Sequence, residues 1–147
     1  MKCVLLESFL RLLELVYGVI QLLSDEDIPV SLFVDPVQAQ LEKCAEVKAA
    51  WIELHTGKYA VTKNQERNLE LSIIKESTAK AKSYGLRVNA GHGLTYQNVE
   101  PIAAIEGIEE LNIGHTIISR ALSVGLSQAV KEMKSLIINP RKDNFLI

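Results

Sequence analysis

Cysteine is scarce: Cys3 and Cys44 lie far apart in the chain. That spacing matches neither a zinc-ligand cluster nor a redox pair, and it leaves no framework of disulfides. Two reduced thiols in a cytoplasmic protein are the expectation. Net charge is nearly absent as well, because 16 Lys and Arg stand against 18 Asp and Glu for a total of −2. This removes any general attraction to nucleic acid or to an anionic membrane. A nucleophile elbow, a P-loop and a dinucleotide fingerprint are all missing.

A clean long apolar run is missing too. The richest stretch, residues 4–23, is interrupted at Glu7, Arg11, Glu14, Gly18 and Gln21, with Asp25 following, at intervals of three and four. Three charges inside it argue against a membrane span. A single preceding Lys2, with no small-residue cleavage site after the run, argues against a secretory signal. The stripe predicts an amphipathic helix with an unusually wide apolar face, supported by the Glu7 and Arg11 pair at i and i+4.

What is present follows in order. The 147 residues fit one domain, large enough to bury roughly two-thirds of its unfolded surface. Residues 24–27 form a polar break, and Pro29 ends any helical continuation. Residues 30–35 read as a strand. Pro36 suits the first turn of a helix capped by Asp35 and running through Leu41, Cys44 and Val47. Residues 51–57 are a second strand closing on a turn at Thr56-Gly57, and residues 64–84 a long charged helix ended by Gly85. A third strand at 86–90, a short helix at 98–105, a fourth strand at 110–113 and a helix at 116–138 with a weak point at Gly125 complete the series. One helix and then four strand–helix units predict a parallel sheet covered by helices.

Alternate side chains of a strand share a face. Glu53 and His55 therefore point one way, and Ile52 and Leu54 the other. Asn112 opposes Leu111 and Ile113, Asn89 opposes Val88, and Ser31 and Asp35 oppose Leu32 and Val34. A doubly wound sheet packs helices on both faces and needs strands that are apolar throughout. One apolar and one partly polar face suit a (β/α) barrel, whose interior can meet a ligand.

His55, His92 and His115 all fall at the C-terminal ends of predicted strands, the edge where parallel α/β folds build their sites. Three imidazoles could hold a zinc ion with one position open. The glycines beside His92 and His115 favour a phosphate cradle instead, since exposed N–H groups facing a helix N-terminus bind anions. Glu53, on the inward face near the histidines with no obvious inward cation beside it, suits acid–base work or stabilisation of developing positive charge. Lys58 and Arg87 are expected to face solvent.

Four blocks then carry a resemblance: VSLFVDP (30–36), IELHTGKYA (52–60), VNAGHGLTY (88–96) and ELNIGHTIISRA (110–121). In this order the chain resembles the C-terminal half of the pyridoxine 5′-phosphate synthase family, across residues 28–136. The resemblance implies condensation of 1-deoxy-D-xylulose 5-phosphate with 3-amino-2-oxopropyl phosphate, releasing phosphate and water, with no metal or organic cofactor. It implies His92 as proton donor, Glu53 as stabiliser of the transition state, and Gly93, Gly114 and His115 as binders of the amino-ketone phosphate. It also implies a partial (β/α)8 TIM barrel of about four parallel βα units, the fifth to eighth. In that scheme residues 1–27 are a divergent N-terminal helix, 28–138 the half-barrel and 139–147 a tail.

The departure is as informative. The early strands, which in the family carry a histidine and a glutamate acting as proton acceptors, are not matched. Four parallel strands leave two unpaired edges and an open half-interior. Completion by a second copy in a homo-oligomer, or by a complementing N-terminal half-barrel, is the expectation. The remaining partners are small phosphorylated substrates, without nucleic acid or membrane. Two alternatives stay open: a non-catalytic phosphate-binding half-barrel or truncated gene product, and a three-histidine metal hydrolase.

Overall fold

Short aliphatic runs bounded by Gly, Pro and polar residues form the strands, and longer stretches with three- and four-residue apolar spacing form the helices. The computed structural model describes residues 2–139, with side chains described from residue 14 onward. Its elements are α1 (Lys2–Asp25), β1 (Ser31–Val34), α2 (Gln38–Glu46), β2 (Trp51–His55), α3 (Gly57–Val61), α4 (Asn64–Ser83), β3 (Arg87–Gly91), α5 (Val99–Ala103), β4 (Ile108–Asn112), α6 (His115–Val124) and α7 (Leu126–Ile138). The tail beyond residue 139, and the side chains of Cys3, Glu7 and Arg11, lie outside the described residues.

The sheet runs β1-β2-β3-β4 in sequence order, and every neighbouring pair is parallel. Each crossover thus steps to the next strand without reversing. A doubly wound sheet reverses its order, whereas a barrel winds in one direction. The fold is α/β with one four-stranded parallel sheet, consistent with part of a TIM-like barrel.

The helix-facing side of the sheet is the core. Ile52, Leu54, Val88 and Ala90 are fully buried there, joined by Leu41, Ile74, Ala81, Val99, Ile102 and Met133 from the surrounding helices. Cys44 is a buried free thiol in the same cluster, and burial pushes its pKa up because the thiolate loses hydration. The other face presents Phe33, Glu53, His55, Asn89 and Asn112. Phe33 is 56% exposed despite its size.

Several boundaries differ from expectation for local reasons. Asp35 does not cap α2: the N-cap position is Val37, without a side-chain hydrogen bond, and Pro36 precedes the helix rather than opening it. Thr56-Gly57 leads into the one-turn helix α3 instead of a simple turn. The helix expected over 116–138 is divided at Gly125, whose φ of +81° reverses the backbone between α6 and α7. A register shift between β3 and β4 pairs Val88 with Ile108 but Asn89 with Glu110. In α1, Ile20 is buried while Leu15 and Leu22 are largely exposed. No helix among the described residues is long and apolar enough to cross a membrane.

Candidate active site

Because the strands are parallel, the segments after β2, β3 and β4 meet at one edge of the sheet. Thr56, immediately after β2, ties the first two together. Its backbone N–H donates to Gly91 O at 2.8 Å. Its hydroxyl proton is shared between Gly91 O (2.7 Å) and His92 O (2.6 Å). His92 and Gly93 follow with φ of +82° and +74°. A left-handed backbone costs a non-glycine residue about 1–2 kcal/mol, so the turn that presents His92 depends on the Thr56 anchor. Farther along, Asn98 Oδ1 accepts from Thr95 N (2.7 Å), Asn98 Nδ2 donates to Gly93 O (3.2 Å), and Tyr59 Oη donates to Asn98 O (2.7 Å). Burial pushes the Tyr59 phenol up to about 12, so it remains a donor.

Three of the glycines at this edge do different things. Gly93 is required by its positive φ and because a Cβ there would sit 2.7 Å from Ala60 Cβ in α3. Gly91 leaves room for side chains, since a Cβ would overlap Glu53 Oε1 and come within 3.0 Å of Asn112 Cβ. Gly114, the N-cap of α6, has an ordinary φ of −113°. A Cβ on it would meet nothing within 4 Å. The missing side chain there opens the helix N-terminus, whose first N–H groups have no partner within the helix.

His92 is exposed, and its ring meets that of His55 edge-on, with centroids 4.7 Å apart. Phe33 packs against His55 at 5.1 Å. Asp35 Oδ1 accepts from His55 Nδ1 at 3.0 Å, which in the neutral ring leaves Nε2 as the acceptor nitrogen. Across β3, Asn112 Nδ2 donates to Glu53 Oε2 at 2.6 Å. A cavity of about 300 Å³ opens over this edge, with Glu53, His92, Gly93, Asn112, Gly114 and His115 in its wall.

The five residues to which the resemblance assigns roles therefore line one cavity: Glu53, His92, Gly93, Gly114 and His115. His55 stands behind His92 rather than in the cavity wall. Among the described residues no group of three or more His, Cys, Asp or Glu side chains is disposed to hold a metal ion. Lys58 and Arg87 face outward. Lys58 pairs with the buried Glu70 at 2.5 Å. Arg87 stacks 3.6 Å over Trp51 and pairs with Glu109. That hydrogen-bonded contact raises the Arg87 pKa and lowers that of Glu109.

Three contributors escape a reading by local rules, which assign Asp35 to a helix cap, Thr56 to a turn and Asn112 only to a polar face. Asn112 carries a usable signal, being a polar residue on the inward face two positions before Gly114.

A family model described as "Pyridoxal phosphate biosynthesis protein PdxJ" matches residues 9–139. The chain is 92% identical over 129 residues to a pyridoxine 5′-phosphate synthase of Prochlorococcus marinus (strain NATL1A), covering 88% of this chain and 53% of the relative. It is 64% identical over 121 residues to one from Synechococcus sp. (strain WH7803), covering 82% and 49%. The chain spans about half the length of the curated relatives it matches. With a family match that runs from within α1 through the whole of α7, the chain belongs to the PdxJ family of pyridoxal phosphate biosynthesis proteins.

Proposed function

We propose that this chain forms the phosphate-binding half of a pyridoxine 5′-phosphate synthase active site. The reaction is the condensation of 1-deoxy-D-xylulose 5-phosphate with 3-amino-2-oxopropyl phosphate, releasing phosphate and water. The observation that carries this reading is the convergence of Glu53, His92, Gly93, Gly114 and His115 on one cavity at the C-terminal edge of the sheet. In it, the backbone at Gly93 and Gly114, the start of α6 and the His115 side chain take the phosphate of the amino ketone. His92 gives up a proton to the reacting substrate, and the Glu53 carboxylate stabilises positive charge that develops beside it. No step requires a metal or organic cofactor.

The same reading makes β1 to β4 the fifth to eighth strands, residues 28–138 the half-barrel, residues 1–27 an N-terminal amphipathic helix that the family match enters at residue 9, and 139–147 a tail, in a cytoplasmic protein. The outer edges of β1 and β4 have no strand neighbour among the described residues, and the interior face leaves Phe33 open. A complementing N-terminal half-barrel, or a second copy in a homo-oligomer, would cover both.

The test is phosphate release from the two substrates by the purified chain, alone and mixed with the N-terminal half of a full-length relative. Release only in the mixture is the expected result. No release in either case, with inorganic phosphate still bound by the chain, would leave a non-catalytic phosphate-binding half-barrel as the function.

A further inference from the structure

Glu53 and Asn112 belong to strands that are not neighbours, since β3 runs between β2 and β4. Adjacent strands lie about 4.8 Å apart, so roughly 10 Å of sheet separates the two backbones. Glu53 is the register partner of Asn89 and Asn112 that of Gly91, so the carboxylate and the amide meet on a diagonal, and they can do so only if the middle strand carries no side chain where they cross. Gly91 supplies this gap. It is the register partner of Asn112 on one side and of His55 on the other. A Cβ on it would overlap Glu53 Oε1 and lie 3.0 Å from both Cβ and O of Asn112. Over the gap, Asn112 Nδ2 donates to Glu53 Oε2 at 2.6 Å, a short hydrogen bond of the kind that a carboxylate acceptor strengthens. Both side chains stand in the wall of the cavity that holds His92.

We propose that Asn112 is a positioning residue for Glu53, holding its carboxylate toward the reacting substrate, and that Gly91 is glycine because the two side chains meet over it. The inference rests on the synthase reading for what Glu53 does, but not for the contact itself. An amide suits this role because it donates without adding charge, and because it fixes one carboxylate oxygen while the other is left to the substrate. Misplacing a reacting or charge-stabilising group by about 1 Å can cost on the order of a hundredfold in rate.

The experiment has two arms. In the chain assayed with the N-terminal half of a relative, Asn112→Ala should lower kcat by about tenfold to a hundredfold, with KM for either substrate within about twofold. The double variant Asn112→Ala with Glu53→Ala should be no slower than Glu53→Ala alone, because residues acting as a unit are not additive. Independent, additive losses, or a loss confined to KM, would overturn the proposal. The second arm needs no turnover: the side-chain amide resonances of Asn112 are followed by NMR in the chain alone. Glu53→Ala should move them, and Gly91→Ala should do the same if circular dichroism shows that the variant folds. Resonances that Glu53→Ala leaves in place overturn the positioning whatever the kinetics. If the wild-type mixture releases no phosphate, the synthase reading fails by itself, and the resonances alone decide whether Asn112 holds Glu53.

Discussion

The two faces of one sheet differ in what they ask of their residues. Toward the helices, Ile52, Leu54, Val88 and Ala90 are fully buried among aliphatic neighbours, so their worth is burial and close packing. Toward the open side, Glu53, His55 and Asn112 hold one another or the loops by directed hydrogen bonds and ring contacts. The helix face makes the molecule fold. The open face carries the candidate site, and it is also the face that leaves Phe33 exposed. A mutation on one face should therefore leave a signature unlike that of a mutation on the other.

The sharpest contrast comes from the core. Leu54→Ala should cost about 2–5 kcal/mol of stability, read as a large drop in the urea unfolding midpoint. His92→Ala should show the reverse pattern. Turnover of the complemented chain falls about a hundredfold or more, while the unfolding midpoint moves by no more than about 0.5 kcal/mol equivalent. A His92 variant that loses stability as Leu54→Ala does would break the division between the faces.

Gly93→Ala tests where the two regimes meet. Strain at φ +74° and the contact 2.7 Å from Ala60 Cβ act together, so a loss of about 1–3 kcal/mol is expected, accompanied by weaker binding of inorganic phosphate in titration calorimetry. The smallest effect belongs to Glu109→Gln at the solvent edge. The Arg87 contact lowers the Glu109 pKa, so the stabilisation is present above the ordinary glutamate range and is lost as pH falls through the lowered value. Unfolding midpoints of wild type and variant should differ slightly at neutral pH and converge in acid.

Much of the architecture was legible because it is written in local periods. Alternation over four or five residues placed Ile52 and Leu54 on one face and Glu53 and His55 on the other. The strand ends, taken with the parallel order, sent three histidines to one edge. Helix boundaries were less legible: Gly125 reads as a weak point, but only the packing of α6 against α7 turns it into a break. Asp35 illustrates another limit. Before a proline it resembles a cap by every local rule, yet its carboxylate is claimed by His55, 20 residues away.

The sequence by itself determined which residues could face a ligand, because the two-residue period of a strand is set by the backbone alone. It also marked Gly93 and Gly114 as places for close approach. Only the tertiary structure decided which of those residues touch. The Thr56 anchor on His92 spans 36 positions, and the Asn112 contact with Glu53 spans 59. Such contacts depend on strand register and on the missing side chain at Gly91, and no local period encodes either.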